Sequence, residues 1–131
     1  MTRMSAEDMG RVLAKCASYD RRKVGESDII AWLQVLGDLP YDDCVAAVIA
    51  HYGETTDWIM PAHIRQRVKE ARKQRIKEAG GVPAPPPELL DDPPAYRAAL
   101  RAAAVALADG RDPEPAMQAI ARQARRELEA S

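Results

Sequence analysis

The residues of this chain that could do chemistry are two histidines, two cysteines, a few adjacent acids and a dense run of cations. His51 and His63 are widely separated, and Cys44 is the other ligand type near them. Zinc needs four donors, usually paired at short spacing, so no metal site is expected. His51 is expected to cap the exposed end of a helix, and His63 to lie on the first turn of the next. Asp42-Asp43 falls in a helix first turn, where the helix dipole accounts for it. Asp91-Asp92 falls in a proline-rich stretch too mobile to hold a catalytic geometry. No Gly-Lys-Ser/Thr phosphate loop, Gly-x-Gly-x-x-Gly turn, His-Glu-x-x-His or Cys-x-x-Cys occurs. The chain therefore reads as a non-enzyme with no catalytic residues, no cofactor, no metal and no small-molecule substrate.

The cations carry the clearest signal. Arg65, Arg67, Lys69, Arg72, Lys73 and Arg75, followed by Lys77, are interrupted only by Glu70 and Glu78 among acids. One reading is a solvated helix end, favoured by the dipole. The other is a face that meets a phosphate backbone or an acidic partner. Arg21-Arg22-Lys23 is a second cluster that could extend that face. No aromatic interleaves the basic run, which argues against base stacking on single strands. The chain as a whole carries 19 basic and 20 acidic residues, a net charge of −1. That balance excludes a histone-like or polybasic coat protein.

Helices must position these groups. Met9, Val12, Leu13, Cys16 and Tyr19 recur at helical spacing behind Ser5, a good N-cap, and predict a first helix from about Ser5 to Tyr19. A second runs from Ser27, with Ile29, Trp32, Leu33 and Leu36 on one face, to a left-handed Gly37. A third opens at Pro40, carries Tyr41, Cys44, Val45, Val48, Ile49 and Tyr52, and ends at Gly53. The loop Glu54–Met60 holds Trp58, Ile59 and Met60 and is expected to fold back as a plug, with Trp32 and Trp58 both core anchors. Pro61 opens a fourth helix to about Glu78. Its apolar stripe, Ile64, Val68 and Ala71, then fades, so its basic second half should project into solvent.

Gly80-Gly81 and the prolines that follow read as a semi-rigid linker. Two short Ala-rich helices come after it. Tyr96, Leu100 and Leu107 line one, and Met117, Ile120 and Leu128 line the other, a small core that a partner could complete. The expectation is an all-α protein: a small four-helix N-terminal bundle at 1–79, a Pro-rich linker at 80–94 and a C-terminal αα-hairpin at 95–131. Cys16 and Cys44 sit at apolar helical positions and read as buried, reduced thiols. No leader segment or membrane-length apolar run is found, so the expected location is the cytoplasm.

Apolar-x-x-Trp32-x-x-x-Leu36, then Tyr41-x-x-Cys44-Val45-x-x-Val48-x-x-His51-Tyr52, then Trp58-x-x-Pro61-x-x-Ile64-x-x-x-Val68 form a distinctive series. It resembles the N-terminal helical domain of the phage replicative-helicase loader/inhibitor family, over residues 5 to 75. The resemblance implies a cytoplasmic adaptor, in a bacterial host cell, that binds the hexameric replicative helicase in phage or bacterial DNA replication. A flexible C-terminal part contributes to helicase contact in that family. The hairpin residues Tyr96, Leu100, Leu107, Met117, Ile120 and Leu128 would take that role here. The alternatives are a small DNA-binding regulator that uses the basic end of helix four, or a phage protein that binds another host protein.

Overall fold

The computed structural model describes residues 4–130, which form six α-helices and one short 3-10 turn, with no strand among the described residues. The chain is all-helical, and it divides into two compact units between Glu70 and Ala71.

In the first unit, α1 (Ala6–Asp20) starts at a capping box. Ser5 Oγ accepts from Asp8 N at 3.0 Å, and Ser5 N donates back to the Asp8 carboxylate. Its stripe buries Met9, Val12, Leu13 and Cys16. Tyr19, expected on that stripe, is 44% exposed and rests beside the Tyr52 ring instead. Arg21 closes the helix in the left-handed conformation.

Helix α2 (Glu26–Leu36) buries Trp32 and Leu36. Gly37 does not take the expected left-handed form. Its φ is −62°, and its N–H donates to Leu33 O while Leu39 N–H reaches Leu36 O, so the chain leaves through a right-handed turn. Helix α3 (Tyr41–Glu54) runs one residue past Gly53, and Pro40 is its N-cap rather than its first residue. It buries Cys44, Ala47, Val48 and His51, while Ile49 is left exposed.

Helix α4 (Pro61–Glu78) inserts Ile64 and Val68 among these residues. α1 packs on both α2 and α3, and Ile59 and Met4 complete the core. Cys16 and Cys44 are free and buried. Burial pushes their thiols up to about 11 and about 12.

In the second unit, α5 (Pro93–Ala108) packs on α6 (Glu114–Ala130). Asp92 caps α5 by accepting from Ala95 N at 3.2 Å, and the prolines at its start need no hydrogen-bond partner there. The core is small: Leu89, Met117 and three alanines, Ala99, Ala103 and Ala121. Alanine lets the two helices approach closely but buries little area per residue, and Tyr96 and Ile120 pack partly buried against this cluster.

The stretch read as linker therefore contributes packing. Pro87–Leu89 forms the 3-10 turn, and Leu89, 2% exposed, contacts both helices through it.

Candidate protein-interaction site

The segment that follows α1 cannot be understood from its charges alone. Asp20 and Arg22 form a salt bridge of 2.6 Å, reinforced by Arg22 Nε donating to both carboxylate oxygens. The Tyr52 hydroxyl donates to Asp20 Oδ2 at 2.6 Å and accepts from Ile59 N at 2.9 Å. Arg22 Nη2 also donates to Ile59 O at 2.8 Å. Burial by itself would raise the Asp20 carboxyl, but the hydrogen bonds from Arg22 and Tyr52 outweigh it and hold the group below the ordinary carboxylate range. Burial likewise disfavours the charged guanidinium, and Asp20 more than restores it. Burial and the Asp20 hydrogen bond together raise the Tyr52 hydroxyl. No buried side-chain polar atom among the described residues lacks a partner. The network is closed, as a buried ion pair must be if it is not to cost stability.

Its product is a rigid loop between α3 and α4. Besides the two bonds to Ile59, His51 Nε2–H meets Asp57 O at 2.7 Å, and Met60 N donates to His63 Nδ1 at 2.9 Å. Asp57 N donates to Thr55 Oγ1. His51 is thus a buried strut, 4% exposed and packed edge-on against Tyr52, not the exposed cap expected. Only Ile59 of the three apolar loop residues is a plug, at 0% exposure. Trp58 is 54% exposed and Met60 49%, so the expectation that Trp58 anchors the core fails. An extended loop turns neighbouring side chains to opposite sides. With Ile59 inward, Trp58 and Met60 face out.

Trp58 is nonetheless fixed. The Arg22 guanidinium carbon lies 4.7 Å from its ring centroid and 5.3 Å from that of Trp32, so the cation sits against both indoles. Such contacts contribute about 0.5–1 kcal/mol each at exposed sites. Beside them opens a cleft of about 200 Å³ lined by Leu13, Arg22, Lys23, Asp28, Trp32, Trp58 and Met60. Large, half-exposed, pre-ordered aromatics are the residues that dominate binding energy at protein interfaces.

The basic residues singled out from the sequence fare differently. Arg65 forms a two-pronged bridge to Asp38, at 2.8 and 2.7 Å, and also donates to Val35 O. The bridge holds the Asp38 carboxyl below its usual range. Arg67 pairs with Glu54 at 2.7 Å and lowers that carboxyl as well. Arg72 pairs with Asp109 at 2.5 Å, both side chains mostly buried, and Arg75 donates to Ala108 O at 2.8 Å.

The expectation of a solvated second half of α4 is corrected at Arg72 and Arg75, while Lys73, Gln74 and Lys77 are exposed as expected. Arg72 and Arg75 tie α4 to the C-terminal end of α5, where the exposed carbonyls of the last turn attract cations. Lys69 and Lys73 stay exposed. Arg65, Arg67 and Lys69 belong to the first unit and Arg72, Lys73 and Arg75 to the second, and four of the six donate to acceptors within the chain.

Of the hairpin residues, Met117 is buried, Tyr96, Leu100, Leu107 and Ile120 are half-buried, and Leu128 is 76% exposed. Leu128 lines a cleft of about 420 Å³ with Leu89, Ala121, Ala124 and the charged Glu88, Asp91, Asp92 and Arg125. No group of His, Cys, Asp and Glu among the described residues is arranged to hold a metal. No described helix is long and apolar enough to cross a membrane.

The sequence reading missed Trp58 and Met60 as surface residues. The available signal was weak: three consecutive large apolar residues cannot all face one way in extended chain, but their order does not say which face is buried. Comparison with protein-family models, curated proteins and solved structures gives no match.

Proposed function

We propose that this protein is a non-enzymatic adaptor that recognises another protein through the surface around Trp58, and that its partner is a replicative DNA helicase. The observation that supports an adaptor is the display of Trp58, half-exposed yet held by a loop whose backbone is hydrogen-bonded at Asp57, Ile59 and Met60. A side chain ordered before binding loses little entropy on docking. The helicase as partner rests on the resemblance of residues 5 to 75 to the phage helicase loader/inhibitor family. In this reading the first unit is the N-terminal bundle, and α5–α6, with the 3-10 turn packed against them, form a hairpin that adds a second contact.

A DNA-binding regulator is the weaker reading. Four of the six cations it needs already have acceptors within the chain. The test is a titration of the full chain and of Trp58→Ala against the hexameric replicative helicase of the bacterial host and against duplex DNA, at two salt concentrations. Helicase binding that falls at least tenfold in Trp58→Ala while surviving moderate salt supports the adaptor. Duplex binding that collapses with salt, unaffected by Trp58→Ala, overturns it.

A further inference from the structure

The three cations that follow α1 have separate fates. Arg22 is consumed by Asp20, Ile59 O and the two indoles. Arg21 and Lys23 are exposed, and neither side chain has an ion pair or hydrogen bond among the described residues. Arg21 is also the one described residue other than glycine with positive φ, at 65° with ψ 19°. That conformation closes α1 by letting Arg21 N donate to Ala17 O at 2.9 Å. Glycine adopts it without steric penalty, and a residue with a Cβ does not. An arginine here is locally unfavourable for the fold, so its side chain marks a place to look for function.

Lys23 lines the cleft beside Trp32, Trp58 and Met60. The carboxylate on the same cleft, Asp28, already accepts from Gly25 N at 2.8 Å as the cap of α2. The cleft, about 200 Å³, is smaller than the roughly 300–1,000 Å³ of small-molecule pockets and suits one large side chain. Leu13, Trp32, Trp58 and Met60 give it apolar walls, and Lys23 is the lining charge whose side chain has no ion pair or hydrogen bond among the described residues. Nucleic acid fits it poorly: a phosphate backbone is held by several free cations spaced along it, and the cleft offers Lys23 alone.

We propose that this surface binds an acidic-apolar segment of a partner protein: one large apolar side chain enters the cleft against Trp58, and Asp or Glu residues flanking it meet Lys23 and Arg21. The inference rests on the adaptor reading and specifies the chemistry of the segment it recognises. Lys23, on the lining of the cleft, and Arg21, exposed two residues before it, act through charge, which sets selectivity and association rate more than total affinity.

The experiment selects a displayed random-peptide library on the full-length protein, with Trp58→Ala as counter-selection. One enriched peptide and its charge-reversed version, Asp and Glu replaced by Lys, are then titrated against wild type, Arg21→Gly, Lys23→Glu and Trp58→Ala. Enrichment of a Leu, Met or aromatic anchor flanked by acids is expected, with no binding by the charge-reversed peptide. Arg21→Gly should melt at or above the wild-type temperature yet bind roughly three- to fivefold more weakly, and Lys23→Glu should bind about tenfold more weakly. Weaker binding by a more stable variant cannot be ascribed to misfolding.

Basic or neutral enriched peptides, or unchanged binding by both Arg21→Gly and Lys23→Glu, overturn the acidic-segment proposal and leave the Trp58 adaptor standing. No enrichment over Trp58→Ala overturns both. Displacement of the peptide by oligothymidylate at equimolar concentration overturns the proposal in favour of nucleic acid.

Discussion

Arg22 lies against Trp58, its guanidinium carbon 4.7 Å from the indole centroid, while its nitrogens are committed to Asp20 and to Ile59 O. One side chain thus belongs both to the buried ion pair with Asp20 and to the surface that displays Trp58. Stability and recognition are coupled through it, and the variants around it should separate the two.

Removing one partner of the buried pair should be costly. Arg22→Ala leaves the Asp20 carboxylate, 7% exposed, with the Tyr52 hydroxyl and the residue-22 backbone N–H as donors but without its counter-charge, and frees Ile59 O. A loss of about 3–5 kcal/mol is expected in urea unfolding, because an uncompensated buried charge remains. The double variant Asp20→Asn, Arg22→Ala should lose less than the sum of its two single variants.

The same pair sets a pH dependence. The folded-state carboxyl of Asp20 is depressed, so its stabilisation is fully present above the unfolded value, about 3.9. It is lost as pH falls through the lower folded value. Asp38, depressed by Arg65, acts in the same sense. Stability measured from pH 6 downward should therefore fall below about pH 4, and Asp20→Asn should be less stable at pH 6 with a shallower acid decline.

The two tryptophans should behave oppositely. Trp32 is 7% exposed in the core, and Trp32→Ala should cost about 3–5 kcal/mol. Trp58 is 54% exposed, and Trp58→Ala should cost about 1 kcal/mol, chiefly its contact with Arg22. Thermal melts of both variants check this; equal destabilisation would mean that Trp58 is buried in solution.

Charge reversal along α4 should be position-dependent. Lys73→Glu changes an exposed side chain and should stay within about 0.5 kcal/mol. Arg72→Ala removes one partner of Asp109, which is 10% exposed, and should cost about 1–3 kcal/mol, lessened because Arg111 already pairs with the same carboxylate at 2.9 Å. Chemical denaturation of the two variants distinguishes them.

The cysteines should be silent in the native protein. Burial raises the thiols of Cys16 and Cys44 to about 11 and about 12, so almost no thiolate exists at pH 8. A disulfide dye should react with both only at the rate of unfolding, measurable by adding denaturant.

The helices themselves were legible in the amino-acid order, because a helix buries every third or fourth residue whatever surrounds it. Met9, Val12, Leu13 and Cys16 on α1, and Ile64 and Val68 on α4, are buried as that period predicts. Ser5 with Asp8 and Pro61 mark helix starts through contacts only a few residues long. The loop between α3 and α4 has no such period, so Trp58, Ile59 and Met60 look alike in sequence. Hydrogen bonds from Arg22 and Tyr52, distant in the chain, turn Ile59 inward and thereby set Trp58 outward. The cations of α4 were equally visible as a run, but Arg65 finds Asp38 and Arg72 finds Asp109 across long stretches of chain. A local pattern states that a side chain is charged or apolar. Whether that charge is spent inside the molecule, or that ring is left at its surface, depends on partners that only the packing of helices brings together.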